Sequence, residues 1–207
     1  MNIEFWVDPI CPFCWVTARW AVDEVQPNRE VDITWRPISL FFKNEPAEDS
    51  DYFAPVWFTH RMLRVMESVR ATEGNDAVFE LYWELGTRIH HDKDRDFTAA
   101  EALEAVGLDT SHAAAFDDEA WDSVIRAGMD EGLALVGNDV GTPIIAMENS
   151  DGVKTGLFGP VISRVPSTEK SVALWDSLVT MMDVDSFFEL KRTRTEGPDA
   201  GSRPVTA

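Results

Sequence analysis

The sequence predicts an α/β fold in which a block of helices interrupts a small sheet. Three observations carry this reading. Runs with strand character occur only near the start (residues 2–8 and 30–38) and again at residues 140–158. From Pro55 to Gly137 the apolar residues recur with helical period and strand signals are absent. Helical patterns also follow the first strand and the last one, so the order is βαβ, helical block, ββα.

Taken in order, residues 2–8 form a buried strand. Residues 12–26 form a helix, with Trp15, Ala18, Val22 and Val25 along one stripe and Pro27-Asn28 as its stop. Glu30 to Ile38 alternates polar and apolar residues and reads as a second strand, parallel to the first because a helix joins them. Residues 45–52 are polar and acidic, and read as a loop. In the helical block Phe58, Met62, Val65 and Val69 make one stripe, and Val78, Leu81, Tyr82, Leu85 and Ile89 a second. Thr98-Ala99-Ala100-Glu101 has the capping-box pattern, and Gly107 closes that helix. Ala120, Val124 and Met129 belong to a later helix ending near Gly137. Val140–Glu148 and Val153–Phe158 form a hairpin about Asn149-Ser150-Asp151-Gly152, and Gly159-Pro160 ends it. Val172, Trp175, Leu178, Val179 and Met182 mark a last amphipathic helix. Phe187-Phe188-Glu189-Leu190 reads as an apolar anchor, followed by a loose polar tail.

The chain has 207 residues, 44% of them apolar, enough for a core that needs no disulfide staple. Acidic residues outnumber basic ones 37 to 18, for a formal charge of −19. That balance argues against nucleic acid or an anionic membrane as partner. No stretch has the length and apolarity of a membrane span, and no apolar leader precedes the first strand. The expected location is therefore the cytoplasm, where structural disulfides are rare.

Against that background, Cys11-Pro12-Phe13-Cys14 stands out. These are the only two cysteines, and they sit at the turn from the first strand into the first helix. A sulfur at a helix N-terminus meets unpaired N–H groups and the positive end of the macrodipole, which favour the reactive thiolate. Pro12 suits the first helical turn, where its missing N–H costs nothing. The second thiol lies one turn away and can resolve a mixed disulfide formed by the first. A staple closing so short a loop would add little stability. A zinc site would need two further ligands, and His60, His90, His91 and His112 show no paired metal-binding spacing, so no metal is expected. A dithiol at this turn, in this element order, predicts a thioredoxin-like fold (βαβ…ββα) with a helical domain inserted between the second and third strands. The expected boundaries are 1–52 and 138–190 for the thioredoxin-like part, 53–137 for the insertion and 191–207 for the tail.

Such a site needs a cis proline at the start of the third strand, facing the dithiol. Gly141-Thr142-Pro143-Ile144-Ile145 occupies that place. A proline there presents no N–H and leaves the backbone of Thr142 free to pair with a bound thiol or peptide.

Asp8-Pro9-Ile10-Cys11-Pro12-Phe13-Cys14-Trp15, the helical insert, Gly141-Thr142-Pro143 and Phe158-Gly159-Pro160 together resemble the DsbA-like branch of the thioredoxin superfamily. Arg88-Ile89-His90, Asp139-Val140-Gly141-Thr142-Pro143 and the segment from Phe187 to Glu196 are similar to the actinobacterial mycothiol-dependent reductases, including the nitroreductase group. The resemblance covers nearly the whole chain, excepting residues 197–207. It implies a cytoplasmic thiol-disulfide oxidoreductase with Cys11 as nucleophile and Cys14 as resolving thiol. Pro12, Phe13, Thr142 and Pro143 would shape the site. It also implies no tightly bound cofactor, mycothiol as the reducing co-substrate, and disulfide, mixed-disulfide or small electrophilic or nitro-type substrates, whether small molecules or protein disulfides. The group usually carries Trp where this chain has Phe13; Phe keeps an aromatic face but lacks the indole donor. Trp15, Asn44 and Tyr52 are the further candidates for lining the substrate site, Asn44 and Tyr52 because they join the second strand to the insert. Adjacent His90 and His91 read as a solvated helix end, and Lys191-Arg192-Thr193-Arg194 as cations that pair with the chain's own acids, the favoured reading, or help position an acidic partner. A monomer or homodimer is expected. The rival readings are an exported DsbA-type disulfide oxidase and a non-catalytic redox-sensing binder or chaperone, which would retain function without its thiols.

Overall fold

The computed structural model describes residues 1–204. Its sheet has four strands: β1 (Asn2–Val7), β2 (Asp32–Pro37), β3 (Ile144–Glu148) and β4 (Lys154–Phe158), in the order β2-β1-β3-β4. β1 and β2 run parallel, while β3 is antiparallel to both β1 and β4. Helix α1 (Pro12–Trp20) joins β1 to β2 and continues into a π turn, Ala21–Val25. Helices α2 (Leu40–Asn44), α3 (Phe53–Glu73), α4 (Asn75–Thr87), α5 (Ala99–Ala105) and α6 (Asp122–Val136) all fall between β2 and β3, and α7 (Thr168–Met182) follows β4. This is the thioredoxin-like arrangement with a helical insert that the sequence predicts.

The two-residue period of β1 assigns its side chains to two faces. Ile3, Phe5 and Val7 join the main core with α1, the insert helices and α7. Trp6 points the other way, into a smaller cluster with Ile38, Met129, Leu133 and Ile144. Its indole donates to the Gly128 carbonyl of α6 at 2.7 Å. A Cβ at Gly132 would lie 2.8 Å from the same ring, so glycine is what lets α6 approach the sheet. Of the residues assigned to this helix by the sequence, Ala120 precedes it, in a short 3-10 turn, and Val124 and Met129 lie in it. Val124 is exposed, and Ile125, Met129 and Leu133 face in, because α6 docks by its glycine-bearing side.

At the sheet's edge, Asn75 works as a substitute strand. Its Oδ1 accepts the Trp35 N–H at 2.8 Å and its Nδ2 donates to the Ile33 carbonyl at 2.8 Å. Arg70 donates to the Trp35 carbonyl as well.

Beyond α7 two expectations fail. Phe188 and Leu190 are no anchor: they are 83% and 77% exposed, and of that run of four only Phe187 is half-buried. The tail is not loose through residue 204 either. Asp199 N donates to the Ser163 carbonyl at 2.7 Å, Ser202 O accepts from Arg19 at 2.9 Å, and Arg203 pairs with Asp92 at 2.8 Å. Residues 205–207 lie outside the described part. Among the described residues no helix is long and apolar enough to cross a membrane.

Candidate active site

The two thiols sit where α1 begins. Cys11 is the N-cap residue, with extended backbone, and its Sγ accepts the Cys14 N–H at 3.4 Å. Pro12 takes the first helical position. The turn before the helix is held from below by Asp8. Its carboxylate is fully buried and accepts two backbone N–H groups, from Ile10 at 3.1 Å and from Leu40 at 2.8 Å. The two sulfurs are not joined in this structure. Cys11 is partly exposed, whereas Cys14 is fully buried. The Cys14 thiol lies 3.8 Å from the Trp6 carbonyl, and the Tyr82 hydroxyl of α4 reaches its sulfur at 4.0 Å.

Thr142 and Pro143 close the site from the other side. The Thr142–Pro143 peptide is cis, and so is Gly159–Pro160. The Cys11 thiol is 3.8 Å from the Thr142 carbonyl. The buried Thr142 hydroxyl has no hydrogen-bond partner of good geometry, yet it lies near enough to both sulfurs to favour their ionised forms.

The electrostatics correct one expectation. The helix N-terminus was expected to favour the Cys11 thiolate. Burial instead pushes this thiol above its ordinary value, with the Asp8 charge adding to the rise. The Cys14 N–H and the Thr142 hydroxyl only partly offset it. Cys14 is pushed up further, by complete burial and then by the neighbouring Cys11 charge. Asp8 itself is raised to about 6 by burial, against the two backbone N–H bonds that pull it down. Burial thus opposes the thiolate form at both sulfurs, and at Cys11 the Cys14 N–H works against it.

Trp15 does not line the substrate site. It is 1% exposed and fills a cage of Tyr82, Trp83, His90 and His91, with its Nε1 donating to His91 Nε2 at 3.0 Å. The cage exists because α4 presents Gly86 to the ring; a Cβ there would fall 2.2 Å from it. The two histidines are accordingly not a solvated helix end. A π turn, Arg88–Asp92, ends α4 and sends the adjacent side chains to different partners. His90 Nε2 contacts the Pro9 carbonyl at 2.8 Å, and burial lowers its pKa to about 4.

Tyr52 stands beside the turn that carries the dithiol. It is 40% exposed and lines a cleft of about 530 Å³ together with Ile10, Pro12, Pro55 and His90. Asn44 donates to its hydroxyl at 3.4 Å, so the two candidates meet, with only Tyr52 in the cleft wall. Asp51, Lys93 and Arg95 add charge to the rim, and Pro198 and Ala200 of the tail form another part of the wall. Arg194, expected to pair with an acid, stands over the Phe13 ring instead, 4.9 Å from its centroid. Among the described residues Lys191, Arg192 and Arg194 enter no ion pair.

Sequence reasoning missed Asp8, Tyr82 and the tail. A carboxyl three residues before the dithiol was a usable signal for the first. Tyr82 read only as one more apolar position in a helical stripe. A second constellation, Ser39–His60–Asp122, has the connectivity of a nucleophile, base and orienter: Ser39 Oγ lies 3.0 Å from His60 Nδ1, and His60 Nε2 lies 3.2 Å from Asp122. Ser39 is fully buried and spends its Oγ capping α2 at Phe42 N, so the set ties α2 and α3 to α6 instead of meeting a substrate. Among the described residues no group of three or more His, Cys, Asp or Glu is arranged to hold a metal ion.

The family model described as Rv2466c-like, mycothiol-dependent nitroreductase Rv2466c, matches residues 10–192. The chain belongs to this family. A curated relative, the uncharacterized protein Rv2286c of Mycobacterium tuberculosis, is 25% identical over 199 residues, which are 94% of this chain and 83% of that protein. Among solved structures, the cytosolic disulfide reductase DsbM from Pseudomonas aeruginosa matches with a TM-score of 0.57 at 13% identity, covering 87% of this chain and 99% of that one. The Streptomyces coelicolor protein SCO1869 matches with a TM-score of 0.56 at 17% identity, covering 99% and 100%. BdbD from Bacillus subtilis matches at 0.55 and 13%, covering 86% and 87%. At these identities the structural matches speak for the shared DsbA-like fold. Family membership makes the chain a thiol-disulfide oxidoreductase of the Rv2466c-like type.

Proposed function

We propose that this protein is a cytoplasmic reductase in which Cys11 is the nucleophile, Cys14 the resolving thiol, and mycothiol the recycling reductant. The observation that carries the reading is the half-exposed, half-buried dithiol at the N-cap of α1, with Thr142–Pro143 against it. Cys11 loses its proton and attacks one sulfur of a substrate disulfide. The S–S bond breaks, one half leaves as a thiolate that takes a proton, and the other remains on Cys11 as a mixed disulfide. Cys14, whose backbone N–H already points at the Cys11 sulfur, then loses its proton and attacks Cys11. The second half leaves, and the enzyme holds a Cys11–Cys14 disulfide. Two molecules of thiol reopen it and are themselves joined as a disulfide, so two electrons pass from thiol to substrate in each cycle. Partial exposure of Cys11 gives substrate its access; burial of Cys14 keeps other thiols away. Tyr52, with its pKa raised by burial and then by the Asp8 charge, stays a neutral donor at the cleft wall. Phe13 and Pro12 offer an aromatic and an apolar surface beside the reacting sulfur.

The test is reduction of the Cys11–Cys14 disulfide in an NADPH-coupled assay, with mycothiol, glutathione and thioredoxin systems run in parallel. Recycling by mycothiol alone is expected. Recycling by thioredoxin only, or by none, overturns the reading. The Cys11→Ser variant is expected to lose turnover; full activity in that variant would sink the scheme.

A further inference from the structure

We propose that residues 194–203 form a specificity-determining strap that confines the dithiol to substrates small enough to enter the cleft and excludes disulfides carried on polypeptides. The proposal rests on the dithiol reading above and narrows its substrate class to small molecules. The strap lies beyond residues 10–192, the span matched by the family model.

The chain leaves α7 at Met182 and returns across the face that carries the active site. Arg194 stands over Phe13, the residue between the cysteines. Pro198 and Ala200 form cleft wall together with Pro12, the other residue between them. Both residues of the Pro-Phe dipeptide are thus covered or walled by the strap. The cleft that the strap walls, about 530 Å³, is lined by Ile10 and Pro12, the two residues that flank Cys11, and its size suits a small ligand. A polypeptide disulfide brings chain on both sides of its sulfur and needs open surface around Cys11. A small disulfide or electrophile does not.

The attachments are suited to a barrier more than to a core. Arg203–Asp92 and Arg164–Glu196 are exposed ion pairs, at 2.8 and 3.1 Å. Each such pair shifts an open–closed equilibrium by about fivefold or less. The Arg194–Phe13 contact adds a comparable increment at an exposed site. The buried Arg19 side chain holds the Ser202 carbonyl at 2.9 Å, and Asp199 N donates to the Ser163 carbonyl at 2.7 Å. The two ion pairs and the ring contact are thus easily broken attachments of a segment that stands beside Pro12 and Phe13.

The test uses the full-length chain, pre-reduced and mixed in single turnover with hydroxyethyl disulfide or with insulin, so that no recycling thiol enters. The triple variant Arg194→Ser, Glu196→Ser, Arg203→Ser removes both ion pairs and the ring contact. Its rate constant with insulin is expected to rise about tenfold or more, with the small disulfide changing by no more than about twofold. Asp92→Arg and Arg203→Asp are each expected to raise the insulin rate by about fivefold, and the two together to restore the wild-type ratio. An unchanged ratio in the triple variant overturns the strap. A fall with the small disulfide and no gain with insulin also overturns it, because the segment would then be binding surface and not barrier. Failure of the wild-type dithiol to reduce either compound would instead overturn the function proposed above.

Discussion

Replacing Asp8 with Asn is expected to remove a specific part of the pH dependence of folding. Asp8 has no solvent exposure, and burial raises its pKa to about 6 from 3.8. A carboxyl whose folded pKa lies above its unfolded one binds more protons when folded across that window. Unfolding free energy therefore falls as pH rises through it. The raised pKa corresponds to about 3 kcal/mol of cost from the buried charge at neutral pH and above. The cost disappears progressively as pH falls through 6 toward 3.8. Between pH ~7.5 and ~5 about 1–2 kcal/mol of it should be recovered in the wild type, and none in Asp8→Asn. Absolute stability follows a different balance. The amide cannot accept both the Ile10 and Leu40 N–H groups, and one buried donor left unpaired costs about 1–3 kcal/mol. At neutral pH loss and gain nearly cancel, so the difference appears on the acid side. Urea unfolding of both reduced proteins at the two pH values gives the double difference, in which every other titrating group cancels. Equal pH dependence in the two proteins would refute the reasoning. The same variant should also show more Cys11 thiolate at neutral pH by its ultraviolet absorbance, since the Asp8 charge is one cause of the raised thiol pKa.

Gly86→Ala places a methyl 2.2 Å from the Trp15 ring and is expected to destabilise the fold by about 1–3 kcal/mol in urea, with loss of the buried Trp15 emission. Thr142→Val removes a buried hydroxyl without a partner, so stability should hold or rise; the Cys11 alkylation profile should move to higher pH because that hydroxyl helps to lower the thiol pKa. His90, held neutral by burial with a pKa of about 4, contributes stability that is fully present above its unfolded value of 6.5 and is lost as pH falls through 6.5 toward 4. His90→Gln should flatten the acid side of the stability profile by about 1–3 kcal/mol, read from urea midpoints across that range.

What the sequence made legible was local. Cysteine spacing, the strand before it and the helix after it are neighbours in the chain, so Cys11 at an N-cap followed from adjacent residues. The Thr98–Glu101 capping box formed for the same reason. Periodicity identified which stripe of a helix is apolar but not what it meets. Tyr82 belonged visibly to a buried stripe, yet its place against the Cys14 sulfur depends on α4 docking across 68 residues of chain. Trp15 was misplaced because nearness to Cys14 in sequence says nothing about the cage built by α4 and its Gly86. The tail was misjudged because polarity was taken as freedom, while the Arg203–Asp92 pair spans 111 residues.

The amide of Asn75 along β2 has a further bearing on how copies of this chain can associate. A sheet ordinarily exposes, at its outermost strand, a ladder of donors and acceptors that invites another strand. Here part of that ladder, at Ile33 and Trp35, is already filled from within the same molecule, by Asn75 and by Arg70. A second molecule arriving at that margin finds these groups taken. Extension of the sheet from one subunit into the next is thereby disfavoured at Ile33 and Trp35, where an arriving strand would have to displace Asn75 and Arg70.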